Sequence, residues 1–558
     1  MYTNAKHIIK TNFLDLKNYS LPASAKDVKL RIYDRIPSKV VDIYDFDMIF
    51  HDEKTMDLIR SGSTIGCFYI ESPGMRSLLK RLSCDTFEML TAASSVIRPG
   101  VAESGMMQEF IDRHHDPSRR KYLVPEMEEV LGETYGVMIY QEDVIKVAHK
   151  IAGLSLEEAD LLRRAMSGKM RSHTAMERIK INFFSSCKLK GHSEEVSNEL
   201  WRQIESFAGY AFCKAHSGSF ALLSYQVAYL KAHYPAEFMA GVLSNRGGYY
   251  APAVYIQECK RLGLKVNLPS VNKSEYEYTG NGQEVQIGLM AIGELSKTTM
   301  IKIIDERNQS GIFKSLFDLF VRIRIGYAET EILIKCGACD CFNQTRPTLI
   351  RLLDIYNHNR HYLQNEESSL FSFEHFNIED KVITNRQYSI EEICMYEYQT
   401  FSYMVTQHPL YFYRDFTEQK SIVKAIDMKK YNSKKIEMIG WFMTSKRIRT
   451  KKGDIMKFLS LEDETGTFEA VIFPKVYSQY AEQTMSMGPY LLYGRVDYNM
   501  GNNLVVEKLT VLSNREILSM IQKDSVENNY FGDIEQFSDD EIDLVKSLDM
   551  EKYKTAYL

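Results

Sequence analysis

The chain has 558 residues, of which 44% are hydrophobic and 26% are charged, and its formal net charge is −5. The length predicts several domains, and the composition is that of ordinary soluble proteins. A net negative charge excludes a basic field over the whole surface, so a polyanion has to be bound by local clusters. No apolar run is long enough for a signal core or a membrane span, and nine irregularly spaced cysteines predict reduced thiols in the cytoplasm.

Residues 1–60 show little regular periodicity. Asp45-Phe46-Asp47 has a spacing that places two carboxylates on one face of a strand, as a divalent cation requires. The alternative is an acidic loop, because this short pattern occurs freely by chance.

Residues 61–275 are predicted to form one helical domain with several basic clusters. The helix after Pro73 is predicted to carry an exposed basic face, and Arg163, Arg164 and Lys169 lie at the end of a later helix. The basic face consists of Arg76, Lys80 and Arg81, and a third cluster consists of Arg113, His114, His115, Arg119, Arg120 and Lys121. A single basic cluster is usually a solvated face, but several in one domain favour a polyphosphate or nucleic-acid partner.

Residues 206–243 predict an anion site at the start of a buried helix. Lys214 and His216 are expected in a short turn, with cap residues at 217–219 and a helix from Phe220 to the Tyr234-Pro235 stop. Free backbone N–H groups at a helix start attract anions, and two cationic side chains strengthen that attraction. The helix is apolar nearly all round, which indicates burial.

Six segments in this domain resemble the successive motifs of bacterial DNA polymerase III alpha subunits, the family C DNA polymerases. They are GCFYIESPGMRSLLKRL, RPG, YGVMIYQEDV, ADLLRRAMSGK, FAGYAFCKAHS and LKAHYPAEFMA. The resemblance implies a fingers domain, which in that family grips the triphosphate of the incoming nucleotide and the templating duplex. It places Arg163 and Arg164 on the paired arginines and Lys214 and His216 on the F-x-K-x-H motif. Cys213 and Ala215 stand where asparagine and serine are usual, which weakens hydrogen bonding there without removing the charge.

The same resemblance implies a catalytic centre in which palm aspartates hold two Mg²⁺ ions. Residues 10–16 are similar to the segment that carries the third aspartate, but Asn12 stands at its position, and an amide is a poor Mg²⁺ ligand. The aspartate pair is expected upstream of this segment, whereas Asp45 and Asp47 follow it. We therefore expect the carboxy-terminal half of such a subunit, without the phosphoesterase domain and most of the palm. Residues 1–60 are then a remnant of the palm end and a connector.

Residues 276–434 are predicted to form a helix-hairpin-helix-like and clamp-binding region. A helical unit opens at residues 285–292, although the hairpin glycines are unclear at 293–296. Residues 367–371 resemble the family's sliding-clamp peptide, with Leu370 and Phe371 as apolar anchors and Glu367 in place of glutamine. Cysteines 336, 339 and 341 suggest zinc, but because a fourth ligand is not evident we expect small residues packed at a helix end.

Residues 435–513 predict an OB-fold: five short strands, with a helix at 477–483 between the third and the fourth. The loop at 445–453 is rich in cations, and OB-folds use this loop to bind oligonucleotides. Its predicted DNA-binding residues are Lys446, Arg447, Arg449, Lys451 and Lys452. Trp441, Phe442 and Phe458 are candidates for base stacking, although strand aromatics more often belong to the core. Residues 514–558 form an acidic tail.

The predicted fold is thus multidomain, with mostly α-helical fingers and helix-hairpin-helix-like regions followed by a small all-β OB-fold barrel. The expected function is to bind DNA, as primer-template or single strand, and a deoxynucleoside triphosphate for templated synthesis in replication or repair. An enzyme active alone is not expected. Mg²⁺ is the cofactor of the family reaction, and a sliding clamp, other replicase subunits or a separately encoded palm are expected partners in a bacterial, nucleoid-associated setting. Two alternatives stay open: a non-catalytic DNA- and clamp-binding accessory, and a single-strand DNA-binding module.

Overall fold

The computed structural model describes residues 41–97, 105–166, 173–205, 213–358, 385–450, 452–498 and 501–512. The chain divides into two units at Val511, and the helices and strands given below belong to the first unit, Met1–Val511. This unit has two hydrophobic cores: a large one shared by the helical segments and a smaller one inside a β-barrel.

Short helices make up residues 46–261. Several begin where a side chain accepts a hydrogen bond from the backbone N–H three residues later, as Asp52, Ser72 and Thr86 do. The helices are α1 Phe46–Phe50, α2 Glu53–Arg60, α3 Pro73–Leu82, α4 Phe87–Val96, α5 Met106–His115, α6 Glu126–Leu131, α7 Gln141–Lys146, α8 Leu156–Met166, α9 His173–Leu189, α10 Glu194–Glu205, α11 Lys214–His233, α12 Pro235–Asn245 and α13 Pro252–Arg261.

Helix α11 lies inside this bundle, packed against α2, α4 and α12. Its buried residues include Ala221, Val227 and Leu230, and they lie on several faces of the helix. A helix apolar on several faces is expected in a protein interior. The prediction of a buried helix that stops before Pro235 is confirmed.

The start of α11 differs from the prediction. The helix begins at Lys214 rather than Phe220, because the Cys213 Sγ accepts the His216 backbone N–H at 3.4 Å and acts as the N-cap. Ser217, one of the predicted caps, is instead buried within the helix, where its hydroxyl accepts a hydrogen bond from Ser95 at 2.7 Å. Lys214 and His216 therefore lie in the first helical turn.

Residues 265–358 combine a small sheet with four helices among the described residues. Strand β1 Lys265–Asn267 runs parallel to β3 Glu284–Gln286, which pairs antiparallel with β2 Thr279–Asn281. The helical unit expected from residue 285 begins only at Lys297, because residues 284–286 complete this sheet. The helices are α14 Lys297–Ser310, α15 Leu316–Ile323, α16 Tyr327–Lys335 and α17 Arg346–His358.

Two further helices, α18 Ile390–Phe401 and α19 Arg414–Glu418, lead to the barrel. The barrel strands are β4 Lys435–Arg449, β5 Ile455–Glu462, β6 Thr467–Ile472, β7 Tyr490–Asp497 and β8 Asn503–Val511, with α20 Pro474–Tyr480 between β6 and β7. They close in the order β4-β5-β6-β8-β7. Five strands with a helix between the third and the fourth match the predicted OB-fold, which is confirmed. No helix within the described residues is both long and apolar enough to span a bilayer.

Candidate nucleotide and nucleic-acid interface

The first turn of α7 connects the two segments predicted to bind a nucleotide. Arg163 on α8 donates from Nη1 to the Gln141 side-chain oxygen at 2.9 Å. The next residue, Glu142, accepts the Lys214 backbone N–H through both carboxylate oxygens, at 2.9 and 3.1 Å. Arg163 and Lys214 are distant in the sequence, yet they lie on either side of this single turn.

Carboxylates from the same chain hold the cations of this site. The Lys214 Nζ lies 2.5 Å from the Glu133 carboxylate, and Asp160 pairs with Arg163 and Arg164 at 2.8 and 2.7 Å. Hydrogen bonding from Arg163 is the main cause of the lowered pKa of Asp160. The side chains of Lys214 and Arg164 are 42% and 60% exposed, so a ligand in solution can reach them. A bound anion has to compete with Glu133 and Asp160.

The start of α11 already holds an anion, the Glu142 carboxylate. Its hydrogen bonds with the Lys214 N–H use the first of the N–H groups that the sequence left free for a phosphate. The His216 N–H bonds to Cys213, and the His216 ring packs on Phe220 with 4.5 Å between ring centroids. The first turn therefore offers a ligand its cationic Lys214 side chain and the imidazole, while the Lys214 and His216 N–H groups are already bonded.

A cavity of about 570 Å³ opens beside Lys214. The Lys214 Nζ also lies 5.5 Å from the centre of the Tyr140 ring, which lines the same cavity. The other aromatic lining residues are Phe87, Phe110 and Tyr135, and the acidic ones are Glu88 and Glu133. The volume lies within the range of small-molecule sites.

The acidic partners in this site were not found by sequence reasoning. Glu142 lies inside the recognised YQEDV segment and Asp160 inside ADLLRR, but only the cations were assigned roles. The local signal was present, because a carboxylate three residues before an arginine on one helix pairs with it readily. The long-range pairing of Glu133 with Lys214 had no local signal.

The basic face of α3 is not exposed, and this prediction is wrong. Arg76, Lys80 and Arg81 are all half-buried. Arg76 donates from Nε to the Gly62 carbonyl at 2.9 Å and from Nη2 to the Thr467 hydroxyl of β6 at 3.0 Å. Burial lowers the pKa of Lys80 to about 8. Arg76 therefore joins the helical bundle to the barrel in this structure.

The cluster after α5 is likewise tied to its own domain. Arg113 pairs with Glu109 at 2.9 Å and donates to the Tyr135 carbonyl at 2.8 Å. The Arg120 guanidinium lies 4.3 Å from the centre of the Tyr135 ring, and His114 contacts the Tyr135 hydroxyl at 3.0 Å. These contacts hold much of the cluster in the fold.

A buried charge network makes a second contact between the bundle and the barrel. Arg261 on α13 pairs with Glu258 at 3.0 Å and with Glu462 of β5 at 2.8 Å, while Lys231 on α11 pairs with Glu258 at 2.6 Å. Burial raises the pKa of Glu462 to about 7. Burial also acts to raise the pKa of Glu258, but the charges of Lys231 and Arg261 outweigh it and hold that pKa at about 2. Sequence reasoning missed this network because its members lie in separate elements.

The barrel carries an exposed basic hairpin, although not as the predicted loop. Strand β4 continues to Arg449 and pairs with β5 along this extension, so residues 445–449 are strand rather than loop. Lys446, Arg447, Arg449 and Lys452 are exposed, and none pairs with an acidic residue in the described part of the chain. Phe458 lies opposite Lys446 and is half-buried, as is Trp441, whereas Phe442 packs against the barrel core.

The described residues do not fit a Mg²⁺ centre. Asp45 is the N-cap of α1, where its carboxylate accepts the Met48 N–H at 3.1 Å, and Asp47 lies in the first turn of that helix rather than on a strand. No group of three or more His, Cys, Asp or Glu side chains in the described ranges is placed to hold a metal ion. Cys336 and Cys339 are fully buried, as expected of packed small residues.

Some predicted sites lie outside the described residues. They are Asn12 at the expected palm aspartate, Lys169, the clamp anchors Leu370 and Phe371, Lys451, and the acidic tail. These assignments stay predictions.

Two stretches match known domain families. Residues 31–191 match the bacterial DNA polymerase III alpha subunit finger domain, and residues 263–349 match a helix-hairpin-helix motif. Together with the OB-fold, these matches define a multidomain chain of the kind built from polymerase and nucleic-acid-binding modules.

Two relatives extend this similarity over most of the chain. Over 500 residues the chain is 32% identical to DNA polymerase III subunit alpha of Bacillus subtilis (strain 168), which covers 88% of this chain and 43% of the relative. Over 520 residues it is 32% identical to the same subunit of Staphylococcus aureus (strain COL), with 91% and 47% covered. The chain is related to the bacterial DNA polymerase III alpha subunit and is similar to its carboxy-terminal half, which confirms the resemblance read from the sequence. It spans less than half the length of these relatives.

Proposed function

We propose that this chain binds an incoming deoxynucleoside triphosphate and DNA for templated DNA synthesis, as a DNA polymerase III alpha-like protein. Arg163, Arg164, Lys214 and His216 contact the triphosphate. The observation that supports this role is the turn at Gln141-Glu142, which brings Arg163 and Lys214 together. The finger-domain match ends at residue 191, so the inclusion of Lys214 depends on its contact with Glu142.

The cations have complementary tasks in this proposal. An arginine offers a planar fork of donors suited to two phosphate oxygens, and a lysine offers a compact charge on a flexible stem. Arg163 is held by Gln141 and Asp160 and is only 22% exposed, so its guanidinium is already oriented. Lys214 is more exposed, and it exchanges the Glu133 carboxylate for a phosphate oxygen. An exposed ion pair contributes about 1 kcal/mol or less, so this exchange costs little.

DNA is the second ligand of the proposed function. The basic hairpin binds the backbone of a single strand, and Phe458 offers a ring beside it. Its cations are Lys446, Arg447, Arg449 and Lys452, with Lys451 between the last two in the sequence. Lys169 and the helix-hairpin-helix region add contacts to primer-template. Leu370 and Phe371 anchor a sliding clamp.

We further propose that synthesis depends on carboxylates that this chain does not supply. Nucleotidyl transfer requires metal ions held by carboxylates, and Asn12 stands where an aspartate is expected. The purified chain with Mg²⁺ is therefore expected not to extend a primer. Templated incorporation that disappears in Arg163→Ala would contradict this dependence. Extension that appears only when cell extract is added supports a separately encoded palm.

The nucleotide site is tested by equilibrium dialysis of labelled dATP against the full chain. Arg163→Ala and Lys214→Ala are each expected to weaken binding about tenfold, because a hydrogen bond to a charged group contributes about 1.5 to 3 kcal/mol. Arg202→Ala is the matched control, because Arg202 also pairs with a carboxylate, Glu199 at 2.6 Å, but lies on α10 and does not line the cavity beside Lys214. Equal losses in all three variants, or none in the first two, contradict the assignment.

A second candidate function is that of a DNA-binding accessory without a nucleotide site. The described hairpin cations, which are exposed and have no acidic partner within the described ranges, favour it, because they require only a polyanion. If dATP does not bind while single-stranded DNA does, this candidate replaces the first.

A further inference from the structure

A second cavity, of about 500 Å³, lies where α12, the small sheet, the start of α14 and the end of α18 meet. Its cations are Arg246 and Lys297, and none of its lining residues is acidic. The aromatic lining residues are Tyr276, Tyr278, Phe401 and Tyr403. In a chain with a net charge of −5, an acid-free cleft with two cations selects for an anion.

The two cations of this cavity have no acidic partner among the residues that the structure describes. Arg246 and Lys297 are exposed, and neither forms an ion pair within the described residues. The polar contact of Arg246 is a hydrogen bond from Nη2 to the Met290 carbonyl, a neutral acceptor. The Lys297 Nζ lies 5.3 Å from the centre of the Tyr276 ring. This differs from the site at Lys214, where Glu133 and Asp160 hold the cations.

The backbone at this cavity is held in an unusual conformation. Arg246, the C-cap residue that follows α12, has a φ of 48°, in the left-handed region where glycine or asparagine is the usual choice. The next two residues, Gly247 and Gly248, are glycines, yet the position with the positive φ is occupied by an arginine. Such outliers cost about 1 kcal/mol or more and concentrate at functional sites.

The opposite wall is fixed by close contacts. The Gly293 N–H donates to the Thr400 carbonyl at 2.9 Å, and a Cβ on Gly293 would lie only 2.9 Å from that oxygen. The hydroxyls of Tyr278 and Tyr403 are 2.6 Å apart. These contacts hold Gly293 and Tyr278 against residues 400–403, so this wall of the cavity is formed before a ligand arrives.

We propose that this cavity binds one nucleotide, with Arg246 and Lys297 on its phosphate and its base against the rings and Met290. Phosphate accounts for the two cations, and the flat face of a base accounts for the aromatic wall. The nucleotide comes either from solution or from a single strand of DNA. The proposal goes beyond the nucleotide site at Lys214 and does not depend on it.

Binding of dAMP to the full chain, measured by equilibrium dialysis, tests this proposal. Arg246→Ala and Lys297→Ala are each expected to weaken dAMP binding about tenfold. Lys302→Ala, an exposed lysine on α14 outside the lining, is the matched control and is expected to bind as the wild type does. Deoxyribose 5-phosphate, which lacks the base, is expected to compete at least tenfold less well.

Binding of a 5′-phosphorylated oligothymidylate to the same variants distinguishes the two sources of the nucleotide, solution and a DNA strand. Loss of dAMP binding in Arg246→Ala and Lys297→Ala assigns the free nucleotide. Loss of oligonucleotide binding alone in these variants assigns the DNA strand. The proposal is overturned if neither ligand is affected, if Lys302→Ala has the same effect, if deoxyribose 5-phosphate competes as well as dAMP, or if only Lys214→Ala removes dAMP binding.

Discussion

The basic hairpin of the barrel allows the most quantitative prediction. We expect weaker binding of single-stranded DNA, and a smaller dependence of that binding on salt, when glutamine replaces Lys446, Arg447, Arg449 and Lys452. Each cation that neutralises a phosphate of a single strand contributes about 0.7 to the slope of log K against log salt. All four are exposed and unpaired in the described chain, so the slope falls by up to about 2.8.

The same relation gives the loss of affinity. A slope of about 0.7 means that each cation makes the free energy of binding about 1 kcal/mol more favourable at about 0.1 M salt than at about 1 M salt. The four substitutions together therefore cost up to about 4 kcal/mol, close to a thousandfold in Kd. Fluorescence anisotropy of a labelled oligothymidylate between about 0.05 and 0.3 M salt covers the range in which this difference is largest.

A control variant with the same change in net charge separates the effect of the hairpin from the effect of the chain's net charge. Lys54, Lys150, Lys188 and Lys190 are exposed lysines of the helical bundle, and their replacement by glutamine removes the same charge. This control is expected to keep most of the slope. A hairpin variant whose slope is unchanged, or a control that loses as much, would refute the hairpin as a binding surface.

Three further changes test the fold. Cys213→Asn places a better N-cap before His216 and is expected to raise the free energy of unfolding by about 0.5 to 1 kcal/mol in denaturant titrations; a decrease contradicts the cap role. Glu462→Gln is expected to raise the melting temperature at pH 8 and to leave it unchanged near pH 5. The pKa of the Glu462 carboxyl is raised from 4.5 to about 7 in the fold. The neutral carboxyl therefore stabilises the fold at low pH, and this stability is lost as the pH rises from 4.5 to about 7. The gain is on the order of 1 to 3 kcal/mol, and a lower melting temperature at pH 8 would show that the charge pair with Arg261 outweighs burial. Gly494→Ala is expected to cost at least about 2 kcal/mol, because its Cβ would lie 2.2 Å from a carbonyl oxygen of β8; an unchanged melting temperature contradicts this close approach.

The barrel could be predicted because its signals are local. Alternating apolar residues, a turn at 463–466 and a helix before the fourth strand define its topology without long-range information. The length of β4 could not be predicted in this way. Residues 446–449 are so rich in cations that they indicate a loop, whereas cross-strand pairing with β5, including Lys446 opposite Phe458, extends the strand.

In the candidate nucleotide site, too, local features could be predicted from the sequence and long-range contacts could not. The cations Arg163 and Lys214 were found through the resemblance, and the burial of α11 through its composition. The start of α11 was missed because Ser217 and Gly218 have the local preferences of a cap, while the contacts that fix the start come from Glu142 and Cys213. Charge partners that come from other helices, such as Glu133, depend on the tertiary fold and leave no periodic signal.

The central claim is that Arg163 and Lys214 bind the phosphates of one nucleotide, and the ratio of dATP to deoxyadenosine affinity tests it most directly. The measurement uses the Arg246→Ala/Lys297→Ala background, so that the second cavity does not contribute. In this background dATP is expected to bind at least a hundredfold more tightly than deoxyadenosine, because two charge-assisted contacts contribute about tenfold each. Adding Arg163→Ala and Lys214→Ala is expected to lower this ratio about a hundredfold. A ratio that both substitutions leave unchanged would contradict the account.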